Sequence, residues 1–157
     1  MANIGARLAV LSVITGLVVL TTAHSQEKKI KREALPPAVE KTVSEQSQVA
    51  TIKGFSTEVE NGKRLYEVEL TVNGHGKDIS MDEDGKIVEV EEEVAMDSLA
   101  LAVKAGLRRA AGSGTLTKVE SLTKAGKLVA YEASVKNGTK YSEVQVGPKG
   151  NKLLHEE

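Results

Sequence analysis

The chain repeats itself, and that repeat limits the available folds more than any other feature. Leu35-Pro36-Pro37-Ala38-Val39 returns 64 positions later as Leu99-Ala100-Leu101-Ala102-Val103. Tyr66-Glu67-Val68 returns 65 positions later as Tyr131-Glu132-Ala133, and Gly85 as Gly150. A match held over about sixty residues with one inserted position points to one supersecondary unit used twice. A unit of that size buries only about 60% of its unfolded surface. Two copies are therefore expected to pack together or to share an extended sheet.

Residues 1–25 stand apart. Arg7 gives a short positive region, Leu8 to Leu20 is apolar apart from Ser12, Thr15 and Gly16, and Ala23-His24-Ser25 places small residues before Gln26. That is the layout of a cleaved export signal. This apolar stretch of 13 residues falls short of the roughly 20 that a spanning helix needs, so no stable membrane span is expected after cleavage. The expected address is exported, periplasmic or extracellular. The sequence contains no cysteine, which removes disulfides, thiolate metal sites and a lipid-modified N-terminal Cys. A formal charge of −1 gives no basic footprint for nucleic acid. With one Phe, no Trp and three Tyr, the core must be aliphatic.

The pattern divides the rest into a polar linker at 26–34, a first repeat at 35–94 and a second at 95–157. In the second, Leu99, Ala102, Val103, Gly106, Leu107 and Ala110 form the stripe of an amphipathic helix. Asp97 is its candidate N-cap and Gly112 its stop. The first copy keeps a weaker stripe from Leu35, with Pro36 and Pro37 suited to a helix start. Each helix is followed by period-two alternation. Tyr66, Val68, Leu70 and Val72 face one way while Glu67, Glu69 and Thr71 face the other, and Asn61-Gly62 and Asn137-Gly138 mark hairpins. The fold class expected is α+β: two tandem repeats, each one helix followed by an antiparallel β-meander of three to four strands, with one sheet face left polar.

Leu35-Pro36-x-Ala38-Val39, Tyr66-Glu67-Val68-Glu69-Leu70 and Asp82-x-Asp84-Gly85-Lys86-Ile87-Val88 resemble the pattern of the PepSY-like family, including its β-lactamase-inhibitor-like members with tandem copies. The second copy departs from it: Leu99-Ala100 lacks the proline, and Gly147-Pro148-Lys149-Gly150 replaces the acidic turn. The resemblance implies a small exported α+β module without catalysis. It would bind a protein partner and restrain a secreted peptidase or another envelope enzyme. The family pattern carries no catalytic residue.

Chemistry-bearing groups are sparse. Ser80, Asp82, Asp84, Gly85, Ile87 and Glu91 occupy positions 1, 3, 5, 6, 8 and 12 of an EF-hand-like loop. Oxygens at that spacing can surround a hard cation, and a Ca²⁺-responsive envelope module through Asp82, Asp84 and Glu91 is the alternative function. Against it, position 1 is Ser and both flanks alternate as strands, so a plain acidic turn explains the same residues. His75 lies in a Gly-flanked turn with no nucleophile beside it, so no general-base pair is assembled. The run Glu89, Glu91, Glu92, Glu93 reads as a solvated strand edge. No enzyme activity, catalytic residue, cofactor or metal is expected. The partner-binding candidates are the outward residues of the sheet, Glu67, Glu69, Glu132 and Lys136.

Overall fold

The computed structural model describes residues 27–155 and 157. The expected signal at 1–25 lies outside the described residues. Eight strands follow in sequence: β1 (Lys28–Lys29), β2 (Thr51–Glu60), β3 (Lys63–Val72), β4 (His75–Met81), β5 (Ile87–Glu93), β6 (Thr115–Lys124), β7 (Lys127–Asn137) and β8 (Lys140–Val146). Helix α1 (Pro37–Gln46) lies between β1 and β2, and α2 (Leu101–Ala111) between β5 and β6. All eight strands form one antiparallel sheet in chain order. Among the described residues no helix is long and apolar enough to cross a membrane.

This corrects the expected fold class. The molecule is not two tandem helix-plus-meander repeats; it is a β-dominated fold built on a single continuous sheet with two short helices. The cause is β5. The sequence reads it as the closing strand of a first unit ending on a solvated acidic edge. In the structure it runs on to Glu93 and bonds on both sides, to β4 through pairs such as Asp78↔Glu91 and to β6 through Glu89↔Lys124 to Glu93↔Glu120. An unpaired strand edge is a standing liability for aggregation, and this junction removes two of them.

Alternation sets the faces. On one side Tyr66, Val68, Leu70, Ile79 and Met81 close over Val39 and Val43 of α1. Val119, Ala133 and Val146 close over Leu99 and over Val103 and Leu107 of α2. Ile79, Met81, Val68 and Leu107 are fully buried, each contributing about 1.5–3 kcal/mol. Asn61 and Gly62 both take positive φ, 49° and 77°, the turn whose twist suits two adjoining strands. Gly112 ends α2 as expected. Asp97 does not cap it: Ala100 holds the N-cap position, and Asp97 lies in a separate 3-10 turn at Met96–Ser98. Part of the polar segment at 26–34 is ordered. Lys28 and Lys29 pair with Thr57 and Ser56, and Arg32 forms a 2.6 Å ion pair with Glu40.

The sequence recurrence survives as local detail. In the turn after β4, the Asp82 N–H donates to Lys86 O at 3.0 Å and the Gly85 N–H to Asp82 O at 2.9 Å. After β8, the Gly147 N–H donates to Asn151 O and the Gly150 N–H to Gly147 O, both at 2.8 Å. Gly85 sits against Ala38 of α1, and Gly150 against Ala102 of α2.

Candidate functional site on the open sheet face

Both helices pack on one face of the sheet, and period-two alternation sends the acids to the other. Register aligns them in rows across the strands. One row runs Ser56, Glu67, Ser80, Glu89, Lys124, and a second runs Glu69, Asp78, Glu91, Leu122, Ala130. A third continues through Glu93, Glu120, Glu132 and Gln145. Like charges directly opposite one another on a sheet are destabilising, so this density of carboxylates is not what stability alone would select.

The face is also partly dry. Leu122 is 2% exposed and Ala130 fully buried, although both lie on the side without a helix. Their neighbours on that face, Glu91, Glu120 and Glu132, must therefore cover them with their aliphatic stems. Glu120 is buried, and its close cation among the described residues is Lys118, whose Nζ stands 2.6 Å from Oε1. That is an ion-pair distance, although Oε1 accepts no well-aligned hydrogen bond. Lys124 pairs with Glu89 at 3.3 Å. Gln145 Nε2 donates to Glu132 Oε2 at 2.7 Å, the Gly76 N–H to Glu93 Oε2 at 3.0 Å, and Ser56 Oγ to Glu67 Oε1 at 3.4 Å.

Three of these acids hold their protons well above the usual carboxyl range. Burial pushes Glu91 up to about 8, helped by the charges of Glu132, Glu120, Glu89 and Asp78. Burial pushes Glu67 up to about 7, with Asp78, Glu27 and Glu69 adding to it and the Ser56 hydroxyl opposing. Burial raises Asp78 to about 6 against the pull of Lys118. Desolvation plus like-charge neighbours is the expected cause of such shifts.

Two three-carboxylate groups result, Glu27–Glu67–Glu69 and Asp78–Glu91–Glu120, each with one oxygen per residue within 4.8 Å of the others. The loop read from sequence is not brought together. Asp82 Oδ1 accepts the N–H groups of Asp84 and Lys86 at 3.1 and 2.9 Å within its own turn, while Glu91 lies along β5 opposite Asp78. Of the partner-binding candidates, Glu67 and Glu69 stand two apart on β3, and Glu132 stands on the same face of β7. Lys136 lies toward the β7–β8 hairpin, its Nζ 5.5 Å from the exposed Tyr141 ring. Sequence reading missed Asp78 and Glu120. Each follows its strand's alternation, so the signal was present, but the rows exist only once β5 joins β4 to β6. His75 begins β4 and is exposed.

The Lys118–Glu120 pair gives a first expected outcome. Lys118→Met should lower stability at pH 8 by about 1–2 kcal/mol, because a buried carboxylate loses its cation. Lys118→Met/Glu120→Gln should recover most of that, measured by urea denaturation.

No protein-family profile matches the chain, and comparison with curated proteins gives no match. Solved structures do match. A DUF2874 family protein from Bacteroides ovatus aligns at TM-score 0.59 and 16% identity, covering 76% of this chain and 84% of that one. A protein from Bacteroides eggerthii, provisionally described as periplasmic, aligns at 0.62 and 15%, covering 76% and 86%. A BLIP-like protein from Bacteroides fragilis aligns at 0.53 and 20%, covering 76% and 83%. At these identities the likeness is one of fold, and the chain has a BLIP-like fold; the PepSY-like resemblance rests on the sequence motifs alone.

Proposed function

We propose that this is an exported, non-catalytic protein that binds a protein partner through the open face of its sheet and thereby restrains an envelope enzyme such as a secreted peptidase. The observation that carries the reading is the set of aligned, half-buried carboxylates kept on that face against their mutual repulsion. A cationic patch on the partner would relieve the repulsion and draw the protons off Glu67 and Glu91. Buried, paired charge of this kind fixes register and partner choice more than it adds affinity. The export address is supported by the layout of residues 1–25 and by the description of the Bacteroides eggerthii structure. The non-catalytic reading follows the PepSY-like resemblance, whose pattern carries no catalytic residue.

The test is capture from an envelope fraction with wild-type protein and with Glu69→Lys/Glu132→Lys, two changes on accessible parts of the face. The expected result is a reproducible partner whose recovery falls at least tenfold with the variant and rises between pH 6 and pH 8. Equal recovery by both proteins would refute the reading.

A second reading is a Ca²⁺-responsive module, favoured by the convergence of Asp78, Glu91 and Glu120 and not by the Asp82 turn. Calorimetry with CaCl₂ decides it: heat lost in Asp78→Asn supports it, and no heat at millimolar Ca²⁺ removes it.

A further inference from the structure

Strand β8 is an edge of the sheet, and beside it a groove of about 590 Å³ runs between α2, β8 and residues 152–155. Its apolar lining includes Ala110, Val144, Val146, Leu153 and Leu154, and Arg109 and Lys152 line it as well. At the other end of the sheet β2 is shielded by β1 and by the Ile30 N–H, which donates to Phe55 O at 3.0 Å. Along the outer side of β8, among the described residues, the ladder consists of a single bridge, Val146↔Lys152.

The molecule shows what fits such a slot. The turn after β4 and the turn after β8 close with the same hydrogen bonds, and in the first case the chain then lays β5 along β4, beginning at Met81↔Ile87. The bridge Val146↔Lys152 is the same first rung, 65 residues on. From that rung β5 continues because Ile87 and Val90 turn toward α1 and pack on its core. The residues in the same phase after β8 are Lys152 and His155, both exposed, while Leu154 points to solvent at 94% exposure. A polar side chain gains nothing by entering an apolar groove. The ladder therefore stops after one rung, and the residues beyond it line the groove without pairing along β8, meeting that strand again where the Glu157 N–H donates to Gln145 Oε1 at 2.8 Å.

We propose that the β8 edge and the α2–β8 groove receive an extended segment of a partner protein as a ninth strand that displaces Lys152 from its single rung, one with aliphatic side chains at the two positions that Ile87 and Val90 hold in β5 and acidic residues between and after them. Main-chain hydrogen bonds to an exposed edge supply the affinity of such docking, and pockets for alternate side chains supply the specificity. Arg109 and Lys152 against Glu143 leave the lining net positive, which suits an acidic strand of the β5 kind. This surface is distinct from the acidic open face and does not depend on it.

The probe is the octapeptide Lys-Ile-Val-Glu-Val-Glu-Glu-Glu, which copies residues 86–93, titrated into the full chain with amide hydrogen exchange as readout. Exchange at residues 141–145 should slow at least tenfold, with no comparable change in β2. Ala110→Phe, a change at an exposed helix position that fills the groove, should weaken the effect at least tenfold. Glu69→Lys, on β3 and remote from β8, should leave it intact, which separates this proposal from the open-face reading. Three results would overturn it: no protection at millimolar peptide, equal protection by a peptide of the same composition with Ile and Val exchanged for their Glu neighbours, or protection of β8 without peptide that grows with protein concentration. The last would mark the edge as a contact between two copies of the chain.

Discussion

Gly150→Ala should destabilise the protein by about 3 kcal/mol, a large share of the 5–15 kcal/mol that holds a domain folded. Two effects add. Gly150 has φ 74°, where an L side chain costs roughly 1–2 kcal/mol. A Cβ there would also stand 2.1 Å from Ala102 O and 2.8 Å from Val103 N, backbone atoms that cannot rotate aside. Forcing α2 off the sheet to make room costs a further 1–3 kcal/mol or so, because Val103 and Leu107 in the next turn are seated in the core. Gly138→Ala is the control: its φ is 63°, yet nothing lies within 4 Å of a Cβ at that hairpin. It should lower stability by about 1 kcal/mol only. Equal midpoints for the two variants in urea would mean that the Gly147–Asn151 turn is not wedged against α2.

The second large effect is on the pH dependence of stability. Glu91 and Glu67 bind their protons more tightly folded, at about 8 and about 7, than at the ordinary 4.5. Between those values the native protein holds more protons than the unfolded chain, so stability falls as pH rises from about 4.5 through about 8 and levels off above. The contribution of these groups is fully present below pH 4.5 and lost by pH 8 and beyond. Each tenfold gain in proton affinity on folding corresponds to about 1.4 kcal/mol. Both residues are partly solvated, so the combined loss is discounted to about 2 kcal/mol. Glu67→Gln/Glu91→Gln should thus be more stable than wild type by about 2 kcal/mol at pH 8 and nearly equal to it at pH 4.5, with a shallower fall between that is left to Asp78. Chemical denaturation at several pH values measures this. A wild-type stability that stays level across the same window would show that the acids are solvated and independent.

Much of this was readable from residues alone. The strands around Tyr66–Val72 and Val129–Val135 alternate cleanly, the helix stripes at Val39–Val43 and Val103–Leu107 point where the core lies, and Gly85 and Gly150 were marked by their recurrence. Those signals are local, and local sterics and burial set them. The sheet's continuity was not legible, because Ile87–Glu93 has the same alternation whether its far edge meets water or β6. Only the pairing with Thr115–Lys124 decides, and that contact is made across the helix and turns at 94–114. Reading Glu89, Glu91 and Glu93 as a solvated edge followed from that error. For the same reason Glu67 and Glu69 were placed on the open face correctly by alternation, whereas Asp78 and Glu120, which complete the rows across strands, were not. The EF-hand-like spacing shows the converse: Asp82 and Glu91 are near in sequence, but an extended strand carries Glu91 away from the turn and sets it opposite Asp78.

The central claim is that the open face keeps half-buried carboxylates for binding at the expense of stability. A single variant measured in two ways tests it most directly. Glu67→Gln/Glu91→Gln should gain stability at pH 8 and, in the same buffer, lose at least tenfold in recovery of its envelope partner. A variant that becomes more stable while capturing that partner as well as wild type would contradict the claim.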